Sequence, residues 1–164
     1  MLICGPDSGA FKSKAKELSN KYHANDLREL KGLLHNPPPE SSNYNVEKHG
    51  LGSWMSSCQF AIFELYYNKG IEALPLVRQI AWGKYDWTQG NAIELLIRFA
   101  SKGICREKLI EEIKQHYPKV RSEAQLYAIQ PLIGELSKDE SLKSVFNELM
   151  AIEAFKESYD ELTE

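Results

Sequence analysis

The chain has 164 residues, of which 43% are hydrophobic and 26% are charged, and its formal net charge at pH 7 is −3. These values predict a single ordinary globular domain and exclude a disordered or strongly basic chain. The acidic balance disfavours a nucleic-acid partner, and the lack of an 18-residue apolar run excludes a predicted membrane span.

The N-terminal segment, residues 8–36, has the pattern of two short helices. Apolar residues mark one face of the first helix at helical spacing: Phe11, Ala15, Leu18 and Tyr22. Asn25 and Asp26 precede the apolar residues of the second helix as a predicted cap. The prolines at positions 37–39 end any helix, because proline lacks the backbone donor. We therefore predict a long loop over residues 37–52, and loops of that length are often functional.

A short phrase recurs where the following hydrophobic runs end. It reads Asn68-Lys69-Gly70-Ile71, then Ser101-Lys102-Gly103-Ile104, and more faintly Ser137-Lys138-Asp139. Its copies are about 33 and 36 residues apart, and a helix stop signal at such a period is typical of stacked repeats.

From residue 53 onward the pattern is almost continuously helical. Helices are predicted over residues 53–68, 71–82, 91–101, 106–117 and 120–136, and one amphipathic capping helix over 140–160. The segments alternate between apolar on most sides and apolar on one stripe, as in two layers of antiparallel helices. In the segment 91–101, a narrow polar edge remains: Glu94, Arg98 and Ser101.

Two phrases carry a resemblance to HEAT-type helical repeats. Glu72-Ala73-Leu74-Pro75-Leu76-Val77 is similar to the first helix of such a repeat, and Lys119-Val120-Arg121-Ser122-Glu123-Ala124 looks like the valine-arginine phrase that opens the second. The resemblance covers residues 53–137 and implies an all-α fold, a short α-solenoid of about three helix pairs. The spacing is shorter than the usual period, and the first unit lacks the valine-arginine phrase.

No reaction chemistry is legible in the sequence. The four histidines show no metal-ligand spacing, and nucleotide-binding and nucleophile motifs are missing, so we expect no cofactor, no metal and no enzymatic activity. The three cysteines are widely spaced and odd in number, and the first residues lack the pattern of a signal peptide. Both features predict a cytoplasmic protein with reduced thiols.

Aromatic residues in a predicted turn are the strongest candidates for a binding site. Tyr85 and Trp87 flank Asp86 where no apolar stripe requires them, and exposed aromatic residues beside an acid are typical of binding hot spots. The alternative, that Trp87 fixes the turn onto the next repeat, is equally open. The edges of the inner helices add three further candidates: Glu94, Glu123 and Tyr127.

Charge is segregated along the chain. Residues 123–164 contain ten acids and three lysines, a net charge of −7, whereas residues 98–121 carry a net charge of +4. A negative end steers a basic partner and speeds its association. The other interpretation is a simple solvated C-terminal helix.

These features favour a protein-binding module. Its sharper form is an immunity protein that neutralises a basic toxin domain, expected to be a nuclease; some immunity proteins of bacterial toxin systems are built from HEAT-like helices. One alternative is a nucleic-acid-processing protein similar to HEAT-like DNA glycosylases, with roles for these residues: Asp86, Trp87, Arg98, Lys119 and Arg121. Another is a scaffold or adaptor that docks through the loop from Pro37 to Gly52.

Overall fold

The computed structural model describes residues 9–44 and 53–164, and every regular element within these ranges is helical. The all-α class predicted from the sequence is therefore confirmed. The chain divides into two compact units, residues 1–76 and residues 77–164, which we call the N-terminal unit and the C-terminal unit. Among the described residues, no helix is both long and apolar enough to cross a membrane.

Among the described residues, three complete helices belong to the N-terminal unit. They are α1 (Gly9–Ser19), α2 (Ala24–Gly32) and α3 (Trp54–Lys69). Phe11 of α1 packs on Phe60 of α3, with ring centroids 5.4 Å apart. The buried hydroxyl of Tyr66 donates to the carbonyl of Leu27, which ties α3 to α2. The two predicted N-terminal helices are thus confirmed.

The start of α2 differs from the predicted cap. The helix begins at Ala24, one residue before the Asn25-Asp26 pair that the sequence places in front of it. Asp26 lies in the first turn, where its carboxylate accepts a hydrogen bond of 2.6 Å from the backbone N–H of His23. The acid therefore satisfies a helix-terminus donor from inside the helix, as the third residue of a capping box does.

The described part of the long loop, residues 37–44, is held against the start of α3. The indole N–H of Trp54 donates to the carbonyl of Pro38 at 2.6 Å. The hydroxyl of Tyr44 lies 2.6 Å from that of Ser57 and donates to the carbonyl of Ser53. The remainder of the predicted loop, residues 45–52, and the first eight residues lie outside the described residues.

Six further helices follow the N-terminal three. They are α4 (Leu74–Ala81), α5 (Gln89–Ser101), α6 (Arg106–His116), α7 (Ser122–Ile133), α8 (Glu140–Leu149) and α9 (Glu153–Thr163). The boundary between the two units falls within α4. In the C-terminal unit, α5 packs against α6, α7 and α8, and α7 also packs against α9. The predicted division into one domain of 164 residues stays a prediction.

At the first two copies of the repeated phrase, a helix ends beside the glycine, as the sequence predicts. Gly70 and Gly103 both have positive φ angles, 58° and 79°, which glycine adopts without steric cost. The third copy works differently, because Asp139 accepts a hydrogen bond from the backbone of Leu142 and so caps the start of α8.

Two predicted elements are corrected. The single capping helix over residues 140–160 is two helices, α8 and α9, because the chain turns between Met150 and Ile152. The helix predicted to begin at Ile71 begins at Leu74. A 3₁₀ turn, Gly70–Glu72, precedes it and leaves the side chain of Ile71 61% exposed.

Candidate functional site

The turn between α4 and α5 is fixed by its own polar groups. A carboxylate oxygen of Asp86 accepts hydrogen bonds from the backbone N–H of Thr88 at 2.7 Å and from its hydroxyl at 2.5 Å. The side-chain amide of buried Gln89 donates to the carbonyl of Ala81 at the end of α4. Asp86 is therefore engaged in holding the turn, and its neighbour Trp87 is presented at the surface with 60% exposure.

Tyr85 connects this turn to the start of α7. Its hydroxyl donates to a carboxylate oxygen of Glu123 at 2.6 Å, and the guanidinium of Arg121 lies 4.3 Å from the centre of its ring. The hydrogen bond to Glu123 raises the pKa of Tyr85, because the carboxylate stabilises the protonated phenol, and partial desolvation acts in the same direction. The structure thus brings together two of the predicted site residues, Tyr85 and Glu123.

A glycine of α5 sets the position of Tyr127. A Cβ atom at Gly90 would lie 2.6 Å from the Cβ of Tyr127 and 2.9 Å from the carbonyl oxygen of Ala124. The backbones of α5 and α7 therefore approach closely at this point, which only a residue without a side chain permits. The side chain of Tyr127 is 55% exposed beside this contact.

The other end of the same helix pair carries a charged cluster. Arg98 donates to Glu94 at 2.7 Å and to both carboxylate oxygens of Glu135 at 2.6 and 3.0 Å. Burial opposes the charge of Arg98, but the hydrogen bonds and charges of the two glutamates outweigh it and raise the pKa of the guanidinium. Glu94 and Arg98 form an ion pair, so Glu94 takes part in a charged cluster along the predicted polar edge.

These contacts define a surface that we call the α5–α7 seam. It runs along the two helices from Tyr85 and Glu123, past Tyr127, to the cluster around Arg98. Since Gly90 lies near Ala124 and Arg98 reaches Glu135, the two helices run in the same direction. All six predicted site residues belong to the seam or to the turn at its start: Tyr85, Asp86, Trp87, Glu94, Glu123 and Tyr127. Among those in the turn, Trp87 is the one with a large exposed side chain.

Four residues of the seam were not among the six predicted binding residues: Gly90, Arg98, Arg121 and Glu135. Arg121 is the arginine of the valine-arginine phrase and Arg98 belongs to the predicted polar edge, whereas Gly90 and Glu135 belong to neither. The offset of 36 residues that aligns the α5 and α7 segments in the sequence could have paired Arg98 with the region of Glu135. No sequence signal marks Gly90, because its role depends on how closely two helices approach.

The basic segment 98–121 is partly neutralised by neighbouring acids. Arg98 is bound to two glutamates, Arg106 bonds to Ser144 and Glu148, and Lys114 pairs with Glu111 at 2.7 Å. Of the residues that a glycosylase-like reading requires, Asp86, Arg98 and Arg121 each have an internal partner. The structure therefore leaves less positive surface for binding nucleic acid, as the glycosylase-like alternative requires, than the sequence suggests.

No group of three or more potential ligands among the described residues could hold a metal ion. Cys58 is buried and Cys105 is partly exposed, and both are free thiols. Burial raises the pKa of the Cys58 thiol, which makes it a poor nucleophile.

Comparison with known proteins adds no assignment. No protein-family model, no curated protein and no solved structure matches the chain. The argument for function therefore rests on the site itself.

Proposed function

We propose that the protein is a protein-binding module and that the α5–α7 seam, with the turn before it, is its binding surface. The observation that carries this proposal is the exposure of two large aromatic side chains, Trp87 at 60% and Tyr127 at 55%. Large aromatic residues dominate the energy of many interfaces, and few other large apolar side chains of the described residues are as exposed.

The scaffold under these side chains supports the proposal. Asp86 and Gln89 hold the turn, and the contact at Gly90 fixes the backbone beside Tyr127. A surface whose backbone is already fixed loses less conformational entropy on binding, so more of the contact energy contributes to affinity. The alternative role of Trp87, fixing the turn onto the next repeat, is less well supported, because Trp87 is 60% exposed.

The repeat architecture forms part of the same proposal. In the C-terminal unit, three arginines bond to glutamates of a later helix or of the turn that follows it: Arg78 to Glu112, Arg98 to Glu135 and Arg106 to Glu148. Their separations are 34, 37 and 42 residues, and the first two are close to the spacings of the repeated phrase. These two spacings support a short α-solenoid of helix pairs, a class of fold that mostly presents a binding surface.

The sharper proposal is an immunity protein that acts in the cytoplasm and neutralises a basic toxin domain. The net charge of −7 over residues 123–164 supports a basic partner, because opposite charges speed association and exclude wrong partners. Most of these acids lie on α8 and α9, next in the chain after the seam. The expected target is the nucleic-acid-binding surface of a nuclease, which would carry the opposite charge.

Co-expression tests this proposal directly. The protein encoded beside this chain is expressed in a bacterial host, alone and with this chain, and survival is measured. We expect the neighbour to be toxic alone and harmless with the wild-type chain. Trp87→Ala and Tyr127→Ala should each weaken the purified complex about tenfold or more, because hot-spot truncations cost about 2 kcal/mol. Calorimetry measures that change.

Ile71→Ala is the matched control. Ile71 is 61% exposed but belongs to the N-terminal unit and is not a residue of the seam, so its truncation should leave the affinity unchanged. A neighbour that is not toxic, or a complex that survives both aromatic truncations unchanged, would contradict the immunity function or the binding surface respectively. Retention of nucleic acid at low salt, in place of a protein, would favour the glycosylase-like alternative.

A further inference from the structure

Glu123 differs from the other glutamates that connect one helix of the C-terminal unit to the next. Glu112, Glu135 and Glu148 each bond to the guanidinium of an arginine that lies 34 to 42 residues earlier. Each of these carboxylates is thus satisfied by a cation from within the chain.

At Glu123 a tyrosine takes the place of that arginine. Tyr85 lies 38 residues earlier, in the same register, and donates a single hydrogen bond to one carboxylate oxygen, Oε2. Within residues 9–44 and 53–164 no group donates to the other oxygen, and no cation forms an ion pair with Glu123. The nearby Arg121 lies over the ring of Tyr85 instead.

The surroundings of Glu123 suit a cation that comes from outside. Glu123 and Tyr127 are both exposed and lie four residues apart on α7, so they occupy one face of the helix. The ring of Tyr85 is fixed beside the carboxylate by its hydrogen bond. An incoming cation would therefore meet a carboxylate with tyrosine rings close to it.

Arginine fits this arrangement better than lysine. Its planar guanidinium donates in a fork that matches a carboxylate and also stacks on aromatic rings, whereas the lysine ammonium is a strongly hydrated point charge. Arg121 over the ring of Tyr85 is an example of such stacking within this chain, and it leaves the exposed ring of Tyr127 for an incoming guanidinium.

We propose that Glu123, together with Tyr127, binds an arginine side chain of the partner protein. The inference rests on the proposed function only in assigning that arginine to a protein partner. The arginine completes at Glu123 the pairing that the chain itself provides at Glu112, Glu135 and Glu148.

The test uses a small probe, so that it does not depend on finding the partner. The peptide acetyl-Gly-Arg-Gly-amide is titrated into the ¹⁵N-labelled full chain at low salt, and backbone and indole chemical shifts are followed. We expect saturable shifts at Glu123, Tyr127 and their neighbours. The uncharged citrulline analogue should bind at least about fivefold more weakly, as expected for loss of one exposed charged contact of about 1 kcal/mol.

Substitutions assign the effect to the site. Glu123→Gln should weaken arginine-peptide binding about fivefold, and Tyr127→Ala should also weaken it. Glu157→Gln removes an exposed acid of α9 and should change nothing. Equal binding of the citrulline peptide, shifts located elsewhere, or full binding by Glu123→Gln would overturn the proposal.

The outcome is separable from that of the proposed function. If the peptide binds at Glu123 but co-expression shows no toxic neighbour, the immunity function fails and the arginine site stands. If the toxin complex forms and Glu123→Gln binds both toxin and peptide as the wild type does, the arginine site fails and the immunity function stands.

Discussion

The two units of the chain differ in how one helix is joined to another. In the N-terminal unit, side chains of α3 donate to backbone carbonyls: Tyr66 to Leu27, Gln59 to Leu34 and Trp54 to Pro38. These residues are 39, 25 and 16 positions apart, with no common register. The C-terminal unit also has bonds to carbonyls, such as that from Gln89 to Ala81, but there pairs of charged side chains join the helices as well, at separations of 34 to 42 residues.

This difference shows what is needed for contacts between side chains to recur at similar separations along the chain. A backbone carbonyl has two lone pairs, and carbonyls in irregular segments lack helical partners, so a side chain can donate to them wherever the chain brings the two groups together. An ion pair between two helices forms only when each residue lies on the helical turn that faces its partner. Such pairs therefore recur at similar separations only where similar pairs of helices recur. Among the described residues, ion pairs between residues 34 to 42 positions apart occur only in the C-terminal unit.

The largest expected effects come from truncating a large buried side chain in the core of each unit. Phe155 is fully buried, with ring centroids 4.8 Å from Phe146, and Phe11 is buried against Phe60. Replacing either phenylalanine by alanine should cost about 3–5 kcal/mol, because a cavity adds to the lost burial. Hydrogen exchange followed by mass spectrometry should show the loss of protection in the unit that carries the substitution.

The same experiment sharpens the comparison between the units. If both units lose protection together after either substitution, they unfold as the single domain that the sequence predicts. A loss below about 1 kcal/mol in the substituted unit would contradict the packing described for that phenylalanine.

Gly90→Ala tests the close approach of α5 and α7. The added Cβ would meet a backbone oxygen and the Cβ of Tyr127, neither of which can move without shifting a helix. We expect a loss of about 1–3 kcal/mol in the free energy of unfolding, reduced by the better helix propensity of alanine. Gly32→Ala is the control, because no atom lies within 4 Å of its added Cβ. Thermal unfolding should show that it is neutral or stabilising.

Arg98→Met tests the ion-pair register. The substitution removes the ion pair with Glu94, whose side chain is 16% exposed, and the bond to Glu135. We expect a cost of about 1–2 kcal/mol, between the values for exposed and buried pairs. Lys143→Met breaks an exposed pair with Glu140 at 3.7 Å and should cost about 0–0.5 kcal/mol. Equal urea midpoints for the two variants would count against a stabilising role for the ion pairs of Arg98.

The smallest effect concerns the titration of Tyr85. Its pKa is raised in the folded chain by the hydrogen bond to Glu123. Its contribution to stability is therefore complete below the unfolded pKa of about 10 and is lost as the pH rises through the folded pKa. Glu123→Gln should move the pKa of Tyr85 back towards its ordinary value, measured by ¹³C NMR of labelled tyrosine rings. Glu157→Gln should leave it unchanged; a shift there would show that general charge controls the titration.

Much of the fold could be predicted because helix periodicity is a local property. The apolar pattern of residues 91–101 predicted a helix that is buried except at Glu94, Arg98 and Ser101. In α5 these three side chains are half-buried. The exception is Asn91, which is exposed. The short turn between α8 and α9 was missed, because one apolar stripe continues across it and no proline or glycine marks it.

The candidate site was predicted only as a set of residues. The sequence alone determined that Tyr85 and Trp87 lie in a turn and that Glu123 and Tyr127 lie four residues apart on one helix, because spacing fixes such local relations. Only the tertiary structure decided that Tyr85 bonds to Glu123, that Tyr127 lies against Gly90 and that Asp86 holds its own turn. These contacts depend on the distance and register between helices, which packing sets and local sequence does not encode.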